Sequence, residues 1–367
     1  MSLSKEYVVF AGTYAPAREE SIHVLKFDAA AGRLVKMSGV SGVDQPSFLA
    51  FDEPRNRLYA VSELEDGAVV SFRYDPESGT LEELNRQPTH GAHPCHLRVD
   101  RESKRLVLVN YSGGSVNVYP LEPDGAIGPL AQQIAHEGSS VNTARQEKPH
   151  PHSIFPVPDK NKGTEAIEAS PQWIVPDLGT DKLYLYELDE AAPKLRLLSE
   201  TIVTPGAGPR HAEFHPQLPI VYIIDELSST VSVYEHDRSA AKLTQRQQLS
   251  TLPADFTGAN TCADIHIAPS GRLLYGSNRG HDSIAVFDVL PDGTLAFKQT
   301  VATEGRTPRN FALVPGEPFL LAANQDSDSI VVFRIADTGE LAPTGERLQL
   351  AKPVCLQVHG IVRSAGR

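Results

Sequence analysis

Apolar residues fall in alternating or short continuous runs of about four to eight, rich in Val, Ile, Tyr and Leu and broken by Gly, Pro, Asp and Asn. No long stretch sustains a 3.6-residue repeat, so the pattern predicts strands throughout and an all-β fold. One phrase recurs seven times: an apolar strand, a turn of Asp, Pro or Gly character, then Leu or Ile. It reads VLKFDAAAGRL ending at Leu34, SFRYDPESGTL at Leu81, NVYPLEPDGAI at Ile127 and LYELDEAAPKL at Leu195. It continues as SVYEHDRSAAKL at Leu243, AVFDVLPDGTL at Leu295 and VFRIADTGEL at Leu341. All intervals but one lie between 46 and 52 residues, which leaves room for four short strands in each repeat. The pattern predicts a seven-bladed β-propeller.

A typical repeat parses as strand a over 47–51, strand b over 57–62, strand c over 69–74 and strand d over 81–87. The first repeat opens with strand b, over 7–14, and the segment 353–358 matches a strand a with no b to follow it. The ring is therefore predicted to close by the C-terminal strand joining the N-terminal blade, as one domain spanning 1–367. The exceptional 68-residue interval holds two extra polar segments, 137–148 and 159–171. The second reads as a surface loop. The first carries Asn142, Arg145 and Gln146 and reads equally as a surface loop or as a cover over a site.

Antiparallel pairing puts the start of strand a and the end of strand b on one face of the disc. The a starts include Pro94-Cys95-His96, Pro151-His152, Pro209-Arg210-His211, Asp264-Ile265-His266 and Pro308-Arg309-Asn310. The b ends include Glu63, Asn110-Tyr111, Asp177, Asp225-Glu226, Asn278-Arg279 and Asn324-Gln325. All of these are expected to ring one mouth of the central channel as a polar, partly cationic pocket.

Composition narrows the function without changing the fold. A formal charge of −12 without a basic stripe argues against a nucleic-acid partner. Three scattered cysteines, Cys95, Cys262 and Cys355, give neither a disulfide framework nor a cysteine zinc site and fit a reducing compartment. No apolar run approaches the roughly 18 residues of a membrane span, and the first five residues are short and polar for a signal peptide. A cytoplasmic location, with no membrane partner, is expected. No Gly-x-Ser-x-Gly elbow and no nucleotide-binding loop is present.

Six phrases carry a family resemblance: NYSGGSV at Asn110, RQEKPHPHS at Arg145, DLGTDKLYLY at Asp177, GPRHAEFHP at Gly208, SNRGHDSIAVF at Ser277 and NQDSDSIVVF at Asn324. Over nearly the whole length the chain resembles the seven-bladed lactonase family, which includes the propeller-type 6-phosphogluconolactonases and the fungal carboxy-cis,cis-muconate lactonizing enzyme. The resemblance implies lactone chemistry at the channel mouth, with no obligatory metal or cofactor. Carried over by motif, it implies acid/base and anchoring roles for His152, Arg210, Glu226 and Arg279. The 159–171 insertion departs from the family pattern.

Lactone hydrolysis needs an activated water, a stabilised oxyanion and a proton for the leaving alkoxide. Histidine, or glutamate with a raised pKa, handles protons, and arginine offers a fork of donors for an oxyanion, carboxylate or phosphate. His152 suits catalysis, but His150 and His152 at i, i+2 would share a strand face, as a core pair or zinc ligands also would. Glu226 and Arg210 could instead form a structural ion pair. Arg279 reads as an anion anchor against a turn arginine, and Arg309 has the same setting. Asn110, Arg145, Gln325 and His96 are the further substrate-binding candidates, while His211, His266 and His281 read as packing or blade-linking residues.

The expected function is hydrolysis of an anionic sugar lactone, with 6-phosphogluconolactone the first substrate to try, by a monomer or weak homo-oligomer. Three alternatives stand beside it. They are muconate-type lactonization, a metal-dependent lactonase with oxygen ligands from Glu63, Asn110, Asp177, Asn278 or Asn324, and a non-enzymatic scaffold.

Overall fold

Among the described residues, seven four-stranded antiparallel sheets make up the blades of the propeller, six of them meanders in chain order and one begun by the C-terminal strand. The computed structural model describes residues 6–158, 171–189 and 191–361. The loop expected over 159–171 lies, apart from Pro171, outside the described residues. Among the described residues, no helix is long and apolar enough to cross a membrane.

The two middle strands of a blade are covered on both faces by neighbouring blades, which explains why they read as nearly unbroken apolar runs. Ile220–Asp225 (IVYIID) is buried at every position, whereas the outermost strand of the same blade, Lys242–Ser250, is largely exposed. Aromatic rings knit adjacent blades: Phe10 in the first lies 4.7 Å from Phe51 and 4.9 Å from Tyr74 in the second. Such pairs add about 0.5–1.5 kcal/mol to the burial of their surface.

The ring closes as the sequence predicts. Pro353–Gly360 pairs with Glu6–Thr13, setting Tyr7 opposite Gly360 and Gly12 opposite Cys355. A Cβ on Gly12 would stand 2.3 Å from the Pro46 carbonyl oxygen, so the second blade can approach this seam only because residue 12 has no side chain.

Two local devices aim side chains at the channel. The inner strands slip register by one residue between Pro94 and His96, between Pro209 and His211, and between Pro308 and Asn310. A bulge leaves the extra residue unpaired and re-aims its side chain, here Cys95, Arg210 and Arg309. In the fourth blade the inner strand is only Phe155–Pro156, preceded by a bridge from Pro151 to Asp177; the same offset puts His152 in the corresponding place.

The second device is the end of strand b, and here one expectation needs correcting. A polar residue at the end of the strand, the last one or in the sixth blade the last but one, turns away from the channel to fasten its blade, and the next residue faces the mouth. Asn110 donates its amide to the Thr89 carbonyl at 3.1 Å, Asn278 to Thr251 at 3.1 Å and Asn324 to Thr303 at 3.0 Å. Each of those carbonyls directly follows the outer strand of the preceding blade. Asp177 makes the equivalent contact with His136 Nδ1 at 2.7 Å. The following residues, among them Tyr14, Glu63, Tyr111, Glu226, Arg279 and Gln325, form the mouth.

Candidate active site at the channel mouth

Glu226 is the hub of the mouth. Buried to 3% exposure, its carboxylate receives Arg145 Nη2 at 2.6 Å and Arg210 Nε at 2.9 Å, and Arg279 Nη2 lies 2.8 Å away. His152 Nε2 stands 3.9 Å from the same carboxylate. The structure thus brings together all four residues expected to catalyse, and the Glu226–Arg210 ion pair weighed against catalysis is part of the same cluster.

Burial by itself would raise the Glu226 carboxyl, but Arg279, Arg210 and Arg145 outweigh it and hold the group far below the usual glutamate range. The glutamate of raised pKa expected for proton transfer is therefore not found; Glu226 is a fixed anion. His152 is shifted the other way in charge terms: burial, then Arg210 nearby, holds it well below an ordinary histidine, so its imidazole is neutral at pH 7. Arg210 is lowered to about 10, by burial first and then by Arg279 and Arg309, and remains a cation at neutral pH.

Arg145 arrives from the 137–148 segment, which folds over the mouth. It also donates to the Tyr111 hydroxyl at 3.3 Å, while buried Gln146 pins the segment by donating to the Leu178 carbonyl at 2.9 Å.

Arg309 lies 5.3 Å from the Tyr14 ring centroid and, among the described residues, has no hydrogen-bond partner. Tyr14 donates to Glu63 at 3.0 Å and borders a cavity of about 400 Å³ shared by Gln45, Glu63, His93, Gln325, Asp326 and Lys352. Gln325 therefore reaches the mouth as expected, its amide donating to Asp326 at 3.0 Å. Tyr14 was missed. The rule that found Tyr111 and Arg279, applied to the first blade, points to it, since Thr13-Tyr14 ends that blade's strand b.

Two substrate-binding expectations fail on geometry. Asn110 is fully buried and turned between blades. His96 is sealed from solvent below the mouth, its ring 4.0 Å from that of Phe48 and its Nδ1 accepting the Ile154 amide at 3.3 Å. The shared face of His150 and His152 is not found either, because His150 leaves the sheet and stacks on Tyr111 at 4.4 Å. Among the described residues, no group of three or more His, Cys, Asp or Glu is placed to hold a metal. The oxygens of Asn110, Asp177, Asn278 and Asn324 do not converge, because each of these side chains fastens a different pair of blades.

Fold and mouth together define a seven-bladed propeller with a buried, arginine-held carboxylate beside a neutral histidine. The family model "Lactonase, 7-bladed beta-propeller" matches residues 8–358, and the chain belongs to that family. It is 34% identical to the 6-phosphogluconolactonase of Bacillus subtilis, over 96% of this chain and 98% of that protein. It is 33% identical to the 6-phosphogluconolactonase of Yersinia pestis, over 94% and 96%. The solved structure of the periplasmic gluconolactonase of Pseudomonas aeruginosa superposes with a TM-score of 0.87 at 31% identity, covering 96% of this chain and 99% of that one.

Proposed function

We propose that the protein hydrolyses an anionic sugar lactone, 6-phosphogluconolactone first, without a metal. The observation that carries the mechanism is the buried imidazole of His152, 3.9 Å from a carboxylate held by three guanidinium groups. In this reading His152 Nε2 takes a proton from water as the water oxygen bonds to the lactone carbonyl carbon. Arg210 and Arg279 stabilise the oxyanion that forms, and the fixed charge of Glu226 steadies both the arginines and the new imidazolium. Collapse breaks the bond from the carbonyl carbon to the ring oxygen. His152 returns the proton to that oxygen, leaving a carboxylic acid that ionises at neutral pH. Arg309, which bulges from its inner strand and lies against the Tyr14 ring, binds the phosphate.

The names of the Bacillus and Yersinia relatives support the phosphorylated substrate, and the three free cysteines support a cytoplasmic, reducing location. A second reading, an unphosphorylated gluconolactone, is favoured by the carboxylates of Glu63, Glu65 and Asp326 around the cavity and by the name of the Pseudomonas relative.

The deciding experiment compares kcat/KM for 6-phosphogluconolactone and gluconolactone in wild type and Arg309→Ala, with and without a chelator. The first reading expects the phosphorylated lactone to be preferred, the preference to vanish in the variant, and the chelator to have no effect. Equal turnover of both lactones by wild type selects the second reading, and turnover of neither, or of a muconate-type lactone alone, defeats both.

A further inference from the structure

Arg210 is held on one side by Glu226; on the other side it meets a chain of buried groups that the proposed reaction does not use. Arg210 Nη1 donates to the Ala263 carbonyl and lies 3.2 Å from His211 Nε2, and His211 Nδ1 lies 2.9 Å from Asp264 Oδ1. His211 and Asp264 are 5% and 2% exposed. Asp264 is itself fixed from several directions. The Ile265 amide donates to Oδ1 at 3.0 Å, and Oδ2 takes the Asn310 amide and faces His266 Nε2 at 3.1 Å.

The donor inventory leaves one arrangement. Guanidinium has only donors, so His211 Nε2 must offer its lone pair to Arg210. A carboxylate has only acceptors, so His211 Nδ1 must carry the proton toward Asp264. Burial, and then the charge of Arg210, lowers His211 to about 4, which agrees with a neutral ring that can accept.

We infer that His211, with its tautomer set by Asp264, is a positioning residue that fixes the Arg210 guanidinium for the oxyanion. The chain crosses three blades. Arg210 and His211 lie on Pro209–Phe214, Asp264 on Thr261–Ile267 and Asn310 on Pro308–Leu313, so the placement of one arginine depends on how the blades are docked. A misplacement of about 1 Å at a reacting group can cost on the order of a hundredfold in rate.

This inference rests on Arg210 acting in the proposed site, so its test has one arm that needs no turnover. In the first arm, nitrogen-15 NMR of histidine-labelled protein should show His211 as the neutral Nδ1–H tautomer. A proton on Nε2 would overturn the inference whatever the substrate proves to be. In the second arm, His211→Phe keeps a ring of similar shape but removes the acceptor, whereas His211→Gln restores an oxygen near the Nε2 position. The expected result is a fall in kcat of about tenfold to a hundredfold for H211F with KM little changed, and recovery to within a few-fold of wild type for H211Q. Equal kcat in both folded variants would overturn the inference, as would a loss confined to KM. If the wild type turns over no lactone while the Nδ1–H tautomer is found, the proposed function has failed and the tautomer assignment stands.

Discussion

At the scale of single residues, charge decides the site. Arg279 is anchored by the Cys262 carbonyl at 2.7 Å and by Glu226 at 2.8 Å, and two other arginines remain on that carboxylate when it is removed. Arg279→Ala is expected to lower kcat/KM by about 10²–10³-fold, as loss of an oxyanion donor does, while the thermal midpoint shifts by only a few degrees. Turnover and melting of the same preparation check both halves. The neutral His152 sets the acid limb of the rate profile. Because burial and Arg210 hold it well below 6.5, kcat/KM should stay level as pH falls through 6.5 and decline only at lower pH. Stability has its own signature. Burial lowers His23 and His211 to about 4 from 6.5, so between those values the unfolded chain binds more protons than the native one. Stability should therefore be lost as pH falls from 6.5 to about 4, and His23→Gln should flatten the slope in denaturant titrations. The residue types at the mouth were legible from spacing alone: His152, Arg210, Glu226 and Arg279 all stand where a starts and b ends predict. The state of Glu226 was not, because three arginines from separate parts of the chain converge on it only in the folded ring.

At the scale of elements, a one-residue distinction separates structure from chemistry. In several blades a polar residue at the end of strand b, Asn110, Asp177, Asn278 or Asn324, binds the preceding blade, and its successor meets the channel. The sequence shows both as adjacent polar letters, and nothing in Asn110-Tyr111 or Asn278-Arg279 tells which of the two turns inward. That is why Asn110 was expected in the pocket, whereas Tyr14 was passed over because the first blade's strand end was left out of the set. Removing such a clasp exposes its role: Asn110→Ala leaves the buried Thr89 carbonyl without one of its donors and should cost about 1–3 kcal/mol with kcat essentially unchanged. Chemical denaturation beside steady-state kinetics measures the two effects. The inner strands add the complementary device, a bulge that turns Arg210 and Arg309 toward the channel. A bulge is set by pairing partners rather than by composition, and only the prolines at Pro209 and Pro308 hinted at it.

At the scale of the whole molecule, the seven-fold count and the closure were fully legible, because both are written as repeats. The 353–358 match to an inner strand sufficed to predict that the two ends of the chain share a sheet. The chain is expected to unfold as one cooperative unit. Deleting the strand Pro353–Gly360 should leave Glu6–Thr13 with an open edge, exposing Val9 and Ala11. The truncated protein should lose its single sharp transition and aggregate, as scanning calorimetry and light scattering would show. The mouth has a further consequence as a whole. Its rim is assembled largely by one rule, blade after blade lending the residue at or just after the end of strand b: Tyr14, Glu63, Tyr111, Glu226, Arg279 and Gln325. Neighbours on this rim come from different blades, far apart in the chain, and most sit just outside the paired strands that hold their blade together. Substrate preference can then drift one letter at a time, as a combination lock is reset wheel by wheel, while the disc that carries the wheels stays the same.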